Sequence, residues 1–382
     1  MKLDLNFRGM KKGNNSRFNG SIMRTTKWQS VVFIGILLSS VFSCKKPVEE
    51  WGELPESLEN GLLTLNEGLF QQNNATLTWY DLQSHQAFHH VFESKTGVGL
   101  GDTGNDLAIY GDKIYVVINN SHILHVLHRR TGKLIKHVSL TNNNSGSSPR
   151  QIAFHESYAY ISAFDGSVFK LDTTSINIQQ IGQAGINPDG IIVYQDRLFV
   201  SNSGGLTSEG DSTISVFQLP QLTEISRITV GRNPGKMVFD NAGNLFVVAR
   251  GNYTTIPPKL VKVDLNSLEI MSSNTMDVGG VVFANGKLFV SHYNSSQGTS
   301  KLMTVNPNTM MVEQENSIGH LGIQTLFGMQ HLQILGQDVL VLSDAKQYIH
   351  QGKVIVIDLS GNLLFDYTSG LNPNKTIFIS PQ

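Results

Sequence analysis

Short apolar runs recur in the same order along most of this sequence. A first run such as DLAIY (106–110) is followed by a tight turn and a second run such as IYVVIN (114–119). Third and fourth runs follow, for instance KLVKVDL (259–265) and EISRITVG (224–231). The runs are rich in β-branched and aromatic residues, and the turns contain the Gly, Asn and Asp that tight hairpins need. The unit is therefore predicted to be a four-stranded antiparallel meander.

The second run of the unit gives the number of repeats. Its copies are spaced by roughly 40–50 residues, which is the period of propeller blades. They are centred near Leu65, Tyr115, Tyr160, Phe199, Phe246, Phe289 and Leu340. The sequence therefore predicts an all-β fold, a seven-bladed β-propeller of four-stranded antiparallel blades over residues 61–382.

The last ten residues explain an apparent defect in the first blade. That blade begins at GLLTLNEG (61–68) with its second strand and has no first strand before it. The tail NPNKTIFIS (372–380) repeats the opening NPDGIIVY (187–194) of an inner strand but has no blade of its own. We expect the tail to enter blade one and close the ring, because closure removes open sheet edges.

The N-terminus has the pattern of an export signal. Residues 31–43 are apolar, follow basic residues and are too short for a comfortable membrane span. Residues 1–43 are thus predicted to be a signal peptide, which begins at Met23 if the true initiator lies there. The run ends in VFSC, and Cys44 is the only cysteine of the chain.

The segment around this cysteine resembles a bacterial lipoprotein processing box. The resemblance implies cleavage before Cys44, a lipid on its sulfur and a solvated tether over residues 44–60. An ordinary signal peptide with an incidental cysteine is the alternative. Glu49 and Glu50 resemble, loosely, the acidic signal of outer-membrane lipoproteins displayed at the cell surface. The expected location is the outer membrane, facing outwards.

Charge excludes one broad class of function. Lys and Arg number 29 against 30 Asp and Glu, which leaves a formal net charge of −1. Nucleic-acid binding needs a basic excess that neutralises phosphates. No nucleic-acid partner is therefore expected.

One face of the predicted ring collects the loops between second and third strands and the starts of the inner strands. We call it the loop face. Its loops are long, polar and dotted with aromatic residues, and binding sites are common in such loops on a rigid scaffold. Packing and turn formation are the alternative roles for each single aromatic or Asn. The candidate ligand-binding residues are Asn66, Phe70, Asn120, Arg150, Phe164, Asp189, Asn202, Arg250, Tyr253, Tyr293 and Tyr348.

Other groupings favour structural roles. His122, His125 and His128 have a metal-like spacing, but alternation along a strand turns His125 away from the other two. The glycines of GDTGND (101–106) precede a strand and not a helix, so a phosphate cradle is not expected. No metal or cofactor is predicted. Aspartates that end the third strands are interpreted as turn formers: Asp81, Asp172, Asp264 and Asp358.

The chain resembles a known group of propellers over essentially its whole mature length. The resemblance rests on four segments, which are LTLNEGLFQQNNATLTWYDLQS (63–84), GDTGNDLAIYGDKIYVVINNSHILHVL (101–127), NPDGIIVYQDRLFVSNSG (187–204) and the tail. They resemble the seven-bladed surface lipoproteins of the YncE/YVTN-like type. Within these, the chain resembles the cobalamin-capturing lipoproteins that sit over a TonB-dependent vitamin B12 transporter. The resemblance implies a non-enzymatic protein that catches a corrinoid on its loop face and passes it to the transporter.

The loop face can be interpreted in three ways, and each predicts a different function. The first is nutrient capture. The second is a protein- or glycan-binding adhesion or scaffold module. The third is a hydrolase or lyase of the lactonase-like propellers, which would need carboxylates, His or a metal converging near the axis. The inner-strand entries supply a thin set for such chemistry: Asp106, Arg150, Asp189, Lys236 and Lys375.

Overall fold

A computed structural model describes residues 53–205, 207–294 and 296–381. Seven four-stranded antiparallel sheets make up this part of the chain, and they are arranged as a β-propeller. This confirms the predicted fold class. The remaining elements are a small hairpin (Thr141–Asn142 and Ser145–Gly146), a helix (Val91–Thr96) and two 3-10 turns (Gly319–Leu321 and Lys346–Tyr348).

Blades are numbered in chain order, and strands are counted from the axis outwards. Blade 1 contains Pro373–Ile379, Gly61–Asn66, Thr76–Asp81 and Gln86–Phe88. Blade 2 contains Gly104–Tyr110, Lys113–Ile118, Ile123–His128 and Leu134–Ser139. Blade 3 contains Pro149–His155, Tyr158–Ala163, Ser167–Asp172 and Asn177–Gln183. Blade 4 contains Pro188–Tyr194, Arg197–Asn202, Thr213–Gln218 and Thr223–Thr229.

The other three blades follow the same plan. Blade 5 contains Pro234–Phe239, Asn244–Ala249, Lys259–Asp264 and Ile270–Thr275. Blade 6 contains Gly280–Ala284, Lys287–Asn294, Thr299–Val305 and Val312–Ser317. Blade 7 contains Leu326–Ile334, Gln337–Asp344, Gln351–Asp358 and Leu363–Leu371.

Burial explains the contrast between the strands of one blade. The second strands are apolar on both faces because each face packs against a neighbouring blade, and Asn244–Ala249 is buried at every position. Outer strands such as Thr223–Thr229 have one face in water and are mostly exposed. The hydrophobic clusters accordingly span pairs of adjacent blades, as Tyr115 and Phe169 of blades 2 and 3 illustrate.

The C-terminal strand closes the ring as predicted. Pro373–Ile379 pairs antiparallel with Gly61–Asn66 and supplies the innermost strand of blade 1. Ile377 and Ile379 are buried in the cluster that also holds Trp79. The Thr64 hydroxyl adds a buried hydrogen bond of 3.0 Å to Thr376. The tail is therefore an integral part of the first blade.

Blade 6 departs from the predicted loop pattern. Long loops were predicted between second and third strands, but the second strand of blade 6 continues to Asn294 and its third strand begins at Thr299. The prediction was wrong because a backbone ladder does not require apolar side chains, and His292 pairs with Lys301 while remaining polar. Asn294 and Thr299 are the last paired residues of this ladder.

The N-terminal predictions fall mostly outside the described residues. The signal peptide at 1–43 and the lipidated Cys44 lie there entirely. The described end of the 44–60 segment contacts the ring, since Leu58 is buried and its N–H donates to the Arg130 carbonyl. The chain divides after Glu50, and the unit Trp51–Gln382 contains the whole ring with its core. That unit therefore has what it needs to fold by itself.

Candidate functional site

The inner strands begin with a repeated backbone device on the loop face. Asn187, Asn233 and Asn372 each precede a proline and take a left-handed conformation, with φ between 47° and 56°. Asn tolerates this region better than most residues, and the proline then fixes the entry of the strand. The carbonyl of Asn233 accepts a hydrogen bond from the Arg250 N–H, which holds the next loop against the strand entry.

A β-bulge follows these entries and directs polar side chains to the axis. The register shifts between Pro149 and Ile152 in blade 3 and between Pro188 and Ile191 in blade 4. Bulges re-aim side chains in this way beside many functional sites. The side chains of Arg150 and Asp189 meet as a result.

Asp189 is the centre of a buried ion triad. One carboxylate oxygen accepts hydrogen bonds from Arg150 Nε and Nη2 at 3.1 and 3.0 Å, and the other accepts from Arg250 Nη2 at 3.0 Å. Burial alone would raise the pKa of Asp189, but the two guanidinium groups lower it far below its usual range. Arg150 also stacks over the Phe164 ring at 4.5 Å. Four predicted residues are thus brought together. The charged groups of Arg150, Asp189 and Arg250 bond largely to one another, and Phe164 packs against Arg150.

Further charges surround the axis next to this triad. Lys375 lies 3.6 Å from the Asp106 carboxylate. Burial, helped by the charge of nearby Lys375, lowers the pKa of Lys236 to about 8 against the opposing effects of Asp106 and Asp189. Burial also raises the pKa of Glu67 to about 7, with partial compensation from Arg150.

A cavity of about 680 Å³ opens beside this cluster, between blades 5, 6 and 7. We call it the side cavity. Tyr253 and Ile256 line it from the blade 5 loop, Tyr293 from the second strand of blade 6, and Phe327 from the inner strand of blade 7. Tyr348 packs edge-on against Phe327, with ring centroids 5.8 Å apart. Aromatic faces and polar groups thus share its wall.

A second cavity of about 510 Å³ follows the axis of the ring, and we call it the axial channel. All seven inner strands contribute to its wall. Lys236, Met329 and Gln330 line both cavities, so the two spaces meet at this point. The side cavity therefore leads from the loop face to the charged axis.

The predicted site residues separate into three groups. Arg250, Tyr253 and Tyr293 line the side cavity, and Tyr348 supports it. Arg150, Phe164 and Asp189 form the axial cluster beside it. The remaining four are placed elsewhere: Asn66, Phe70, Asn120 and Asn202.

The structure shows what these four residues do instead of lining the side cavity. Asn66 and Asn202 are fully buried and bond to neighbouring strands, through Thr78 and Ser215 for example. Asn120 donates to the Asp102 carboxylate. These three support loops, and their predicted direct role fits this geometry poorly. Phe70 is 64% exposed on the loop face but does not line the side cavity.

Sequence reasoning left Lys236 out of the candidate binding set. A signal for it was present, because Asn233-Pro-Gly-Lys236 and Asn372-Pro-Asn-Lys375 place a lysine at the same position of the repeat. Both lysines reach the axis. Phe327 had no such signal, since the sequence pattern did not single out the inner strand of blade 7.

Residues of the other groupings make structural contacts. Asp264 accepts hydrogen bonds from the N–H groups of Asn266 and Ser267, as a turn former does. His125 is buried and contacts the Leu100 carbonyl, and burial lowers its pKa to about 4.

Among the described residues, no group of three or more His, Cys, Asp or Glu could hold a metal ion. In the same part of the chain, no helix is long and apolar enough to cross a membrane.

Fold and site together define a seven-bladed propeller with a loop-face cavity that leads to a charged axis. The chain belongs to the family described as a domain of unknown function, DUF5074, whose model matches residues 60–281. The match runs from blade 1 into the inner strand of blade 6. No curated protein matches the chain.

Solved structures share the fold at low sequence identity. A quinonprotein alcohol dehydrogenase-like protein from Bacteroides thetaiotaomicron is similar with a TM-score of 0.60 and 13% identity, over 84% of this chain and 79% of that one. The dihydro-heme d1 dehydrogenase NirN has a TM-score of 0.57 and 11% identity, over 87% and 78%. Hydrazine synthase of Kuenenia stuttgartiensis has a TM-score of 0.55 and 14% identity, over 65% and 74%. These likenesses concern the fold alone.

Proposed function

We propose that this protein is a non-enzymatic binding propeller that captures a small polar molecule in the side cavity. The observation that carries the proposal is the cavity itself, whose volume of about 680 Å³ lies in the range of small-molecule sites. Its wall combines Tyr253, Tyr293 and Phe327 with the cationic Lys236. Such a mixture of flat apolar faces and few polar groups suits ligand recognition.

We further propose that the ligand is a corrinoid such as cobalamin, on the strength of the sequence resemblance. A corrinoid is a flat macrocycle with amide side chains and exceeds the volume of the cavity. Part of it would enter the side cavity, while the macrocycle would lie over exposed aromatic groups. Tyr253 is 69% exposed at the rim and offers such a surface.

Location follows from the same resemblance. We propose that Cys44 carries a lipid that anchors the protein in the outer membrane, with the propeller at the cell surface. The ring begins at Gly61. The segment from Cys44 would connect it to the membrane. The loop face would then meet a TonB-dependent transporter and pass the ligand on.

A calorimetric titration of cyanocobalamin into the unit Trp51–Gln382 tests capture. Saturable one-to-one binding is expected, and Tyr253→Ala should weaken it at least several-fold because base-like stacking on an aromatic side chain contributes roughly 1–3 kcal/mol. Phe70→Ala is the matched control, since Phe70 is a similarly exposed aromatic residue outside the cavity. Absence of binding at micromolar concentration would reject corrinoid capture.

A protein- or glycan-binding module is the second candidate. The exposed aromatic groups of Phe70, Tyr253 and Tyr348 favour it, because they are spread over the loop face rather than confined to one cavity. In that case Phe70→Ala and Tyr253→Ala should weaken partner binding alike. We do not propose a hydrolase or lyase, since Asp106 and Asp189 are each engaged by cations.

A further inference from the structure

Lys236 lines both the side cavity and the axial channel, at the point where the two spaces meet. Within the residues that the structure describes, Nζ of Lys236 has no hydrogen-bond or ion-pair partner. Other lysines in enclosed positions differ from it. Lys262 donates to the Pro307 carbonyl, and Lys170 donates to the Pro220 carbonyl. A half-buried cation without a partner is costly unless a counter-charge is supplied.

Charges around the axis do not supply that counter-charge. Both acidic groups nearest to Lys236 have other partners, since Asp189 binds two arginines and Asp106 accepts from the Ile152 N–H and faces Lys375. Four cations face three carboxyl groups, and one of these, Glu67, is about half protonated at neutral pH. The cations are Arg150, Lys236, Arg250 and Lys375. The axis therefore carries an excess of between one and two positive charges.

The axial channel also provides space for a ligand and a second cation beside Lys236. The channel of about 510 Å³ has Lys236 and Lys375 on its wall, from the equivalent position of blades 5 and 1. The positive charge of Lys375 disfavours the charged form of Lys236 and so contributes to its lowered pKa. An anion between them would relieve that repulsion, and low-dielectric walls strengthen the attraction.

We propose that the axis of the propeller is an oxyanion site, in which Lys236 contacts a phosphate or carboxylate group and Lys375 assists it. The site goes beyond the proposed corrinoid capture and stands on the axial residues whether or not a corrinoid binds. The oxyanion is either a free small anion or the acidic group of a larger ligand that reaches inwards from the side cavity. Both sources present the same chemistry to Lys236.

Inorganic phosphate is the probe that tests the site. The thermal midpoint of Trp51–Gln382 is measured against phosphate concentration, with chloride at matched ionic strength. Phosphate also stabilises proteins generally by exclusion from their surface, so the readout is the difference between variants. The wild type should gain a saturable rise in midpoint that Lys236→Met lacks and Lys236→Arg keeps in part. Lys287→Met, at an exposed lysine of blade 6, should respond like the wild type.

Calorimetry completes the test. Phosphate should give a saturable heat with the wild type and none with Lys236→Met. Equal midpoint shifts in the two proteins, together with no saturable heat in the wild type, would overturn the proposal. Competition between phosphate and cyanocobalamin would assign the anion to the larger ligand, and independent binding would assign it to a free anion. Failure of the cyanocobalamin titration alone would reject only corrinoid capture.

Discussion

Removal of residues 372–382 should destroy the closed ring and not merely shorten it. The deleted strand contributes Ile377 and Ile379 to the core of blade 1, and loss of a buried isoleucine side chain costs about 2–5 kcal/mol each. It also pairs with all of Gly61–Asn66, and each lost hydrogen bond costs about 1 kcal/mol. These losses together rival the whole stability of an ordinary domain, about 5–15 kcal/mol.

Urea denaturation followed by Trp79 fluorescence measures the effect. Trp79 is fully buried, and Leu63 pairs with both Trp79 and Ile377, so the indole lies two strands from the deleted residues. A graded variant, Ile379→Ala, should lower the free energy of unfolding by about 2–5 kcal/mol. The exposed Leu364 of blade 7 provides a control, because its replacement by Ala should change stability by less than about 0.5 kcal/mol. A truncated protein with native Trp79 emission and an unchanged urea midpoint would refute the closure argument.

Two further predictions concern charges near the axis. The raised pKa of Glu67 means that the folded state keeps its proton between pH 4.5 and about 7 while the unfolded state loses it. Glu67→Gln should therefore be more stable than the wild type above pH 7, by up to about 3 kcal/mol, and equally stable below pH 4.5. Asp189→Asn should lower the free energy of unfolding by about 3–5 kcal/mol, because it leaves Arg150 and Arg250 without their shared counter-charge.

Thermal unfolding at several pH values checks both predictions. For Glu67, a stability difference that does not change between pH 4 and pH 8 would contradict the assigned pKa. For Asp189, the exposed Asp196 is the control, and Asp196→Asn should leave the unfolding midpoint unchanged. An Asp189→Asn protein as stable as this control would show that the two arginines do not depend on the carboxylate.

The fold was predictable because each blade must bury its second strand between two neighbours. Because of that requirement, every repeat contains a continuous apolar run such as LFVVA (245–249), and the run is visible in the sequence. The closure of the ring by the C-terminal strand was predictable for a similar reason, since the tail repeats the sequence that opens an inner strand. The inner strand Leu326–Ile334 was less visible, because Gln330 and His331 interrupt its apolar pattern. In the ring the Gln330 side chain bonds to Asn374 and Thr376 of blade 1, and His331 pairs with Asp338 of its own blade.

The site was predictable only at the level of the face. Loop composition indicated aromatic and polar groups, but the choice among asparagines depends on three-dimensional contacts. Asn202 is committed to Thr213 and Ser215, whereas Tyr253 projects from the loop that follows the second strand of the next blade. The pairing of Arg150 and Arg250 on one carboxylate depends on bulges that bring separate blades together. The local sequence around each arginine does not indicate that the two side chains converge on one carboxylate.

The measurement that tests the central claim most directly is a cyanocobalamin titration of a cavity-filling variant. Gly279 lines the side cavity, and a Cβ there would meet only the Ser291 carbonyl at 3.5 Å, so Gly279→Phe can fill the space without disturbing the backbone. Gly99→Phe is the matched control, because a Cβ at Gly99 meets open space outside the cavity. One-to-one binding that Gly279→Phe abolishes and Gly99→Phe preserves is the predicted result. Binding that survives in Gly279→Phe, or no binding by the wild type, would contradict capture of this ligand in the side cavity.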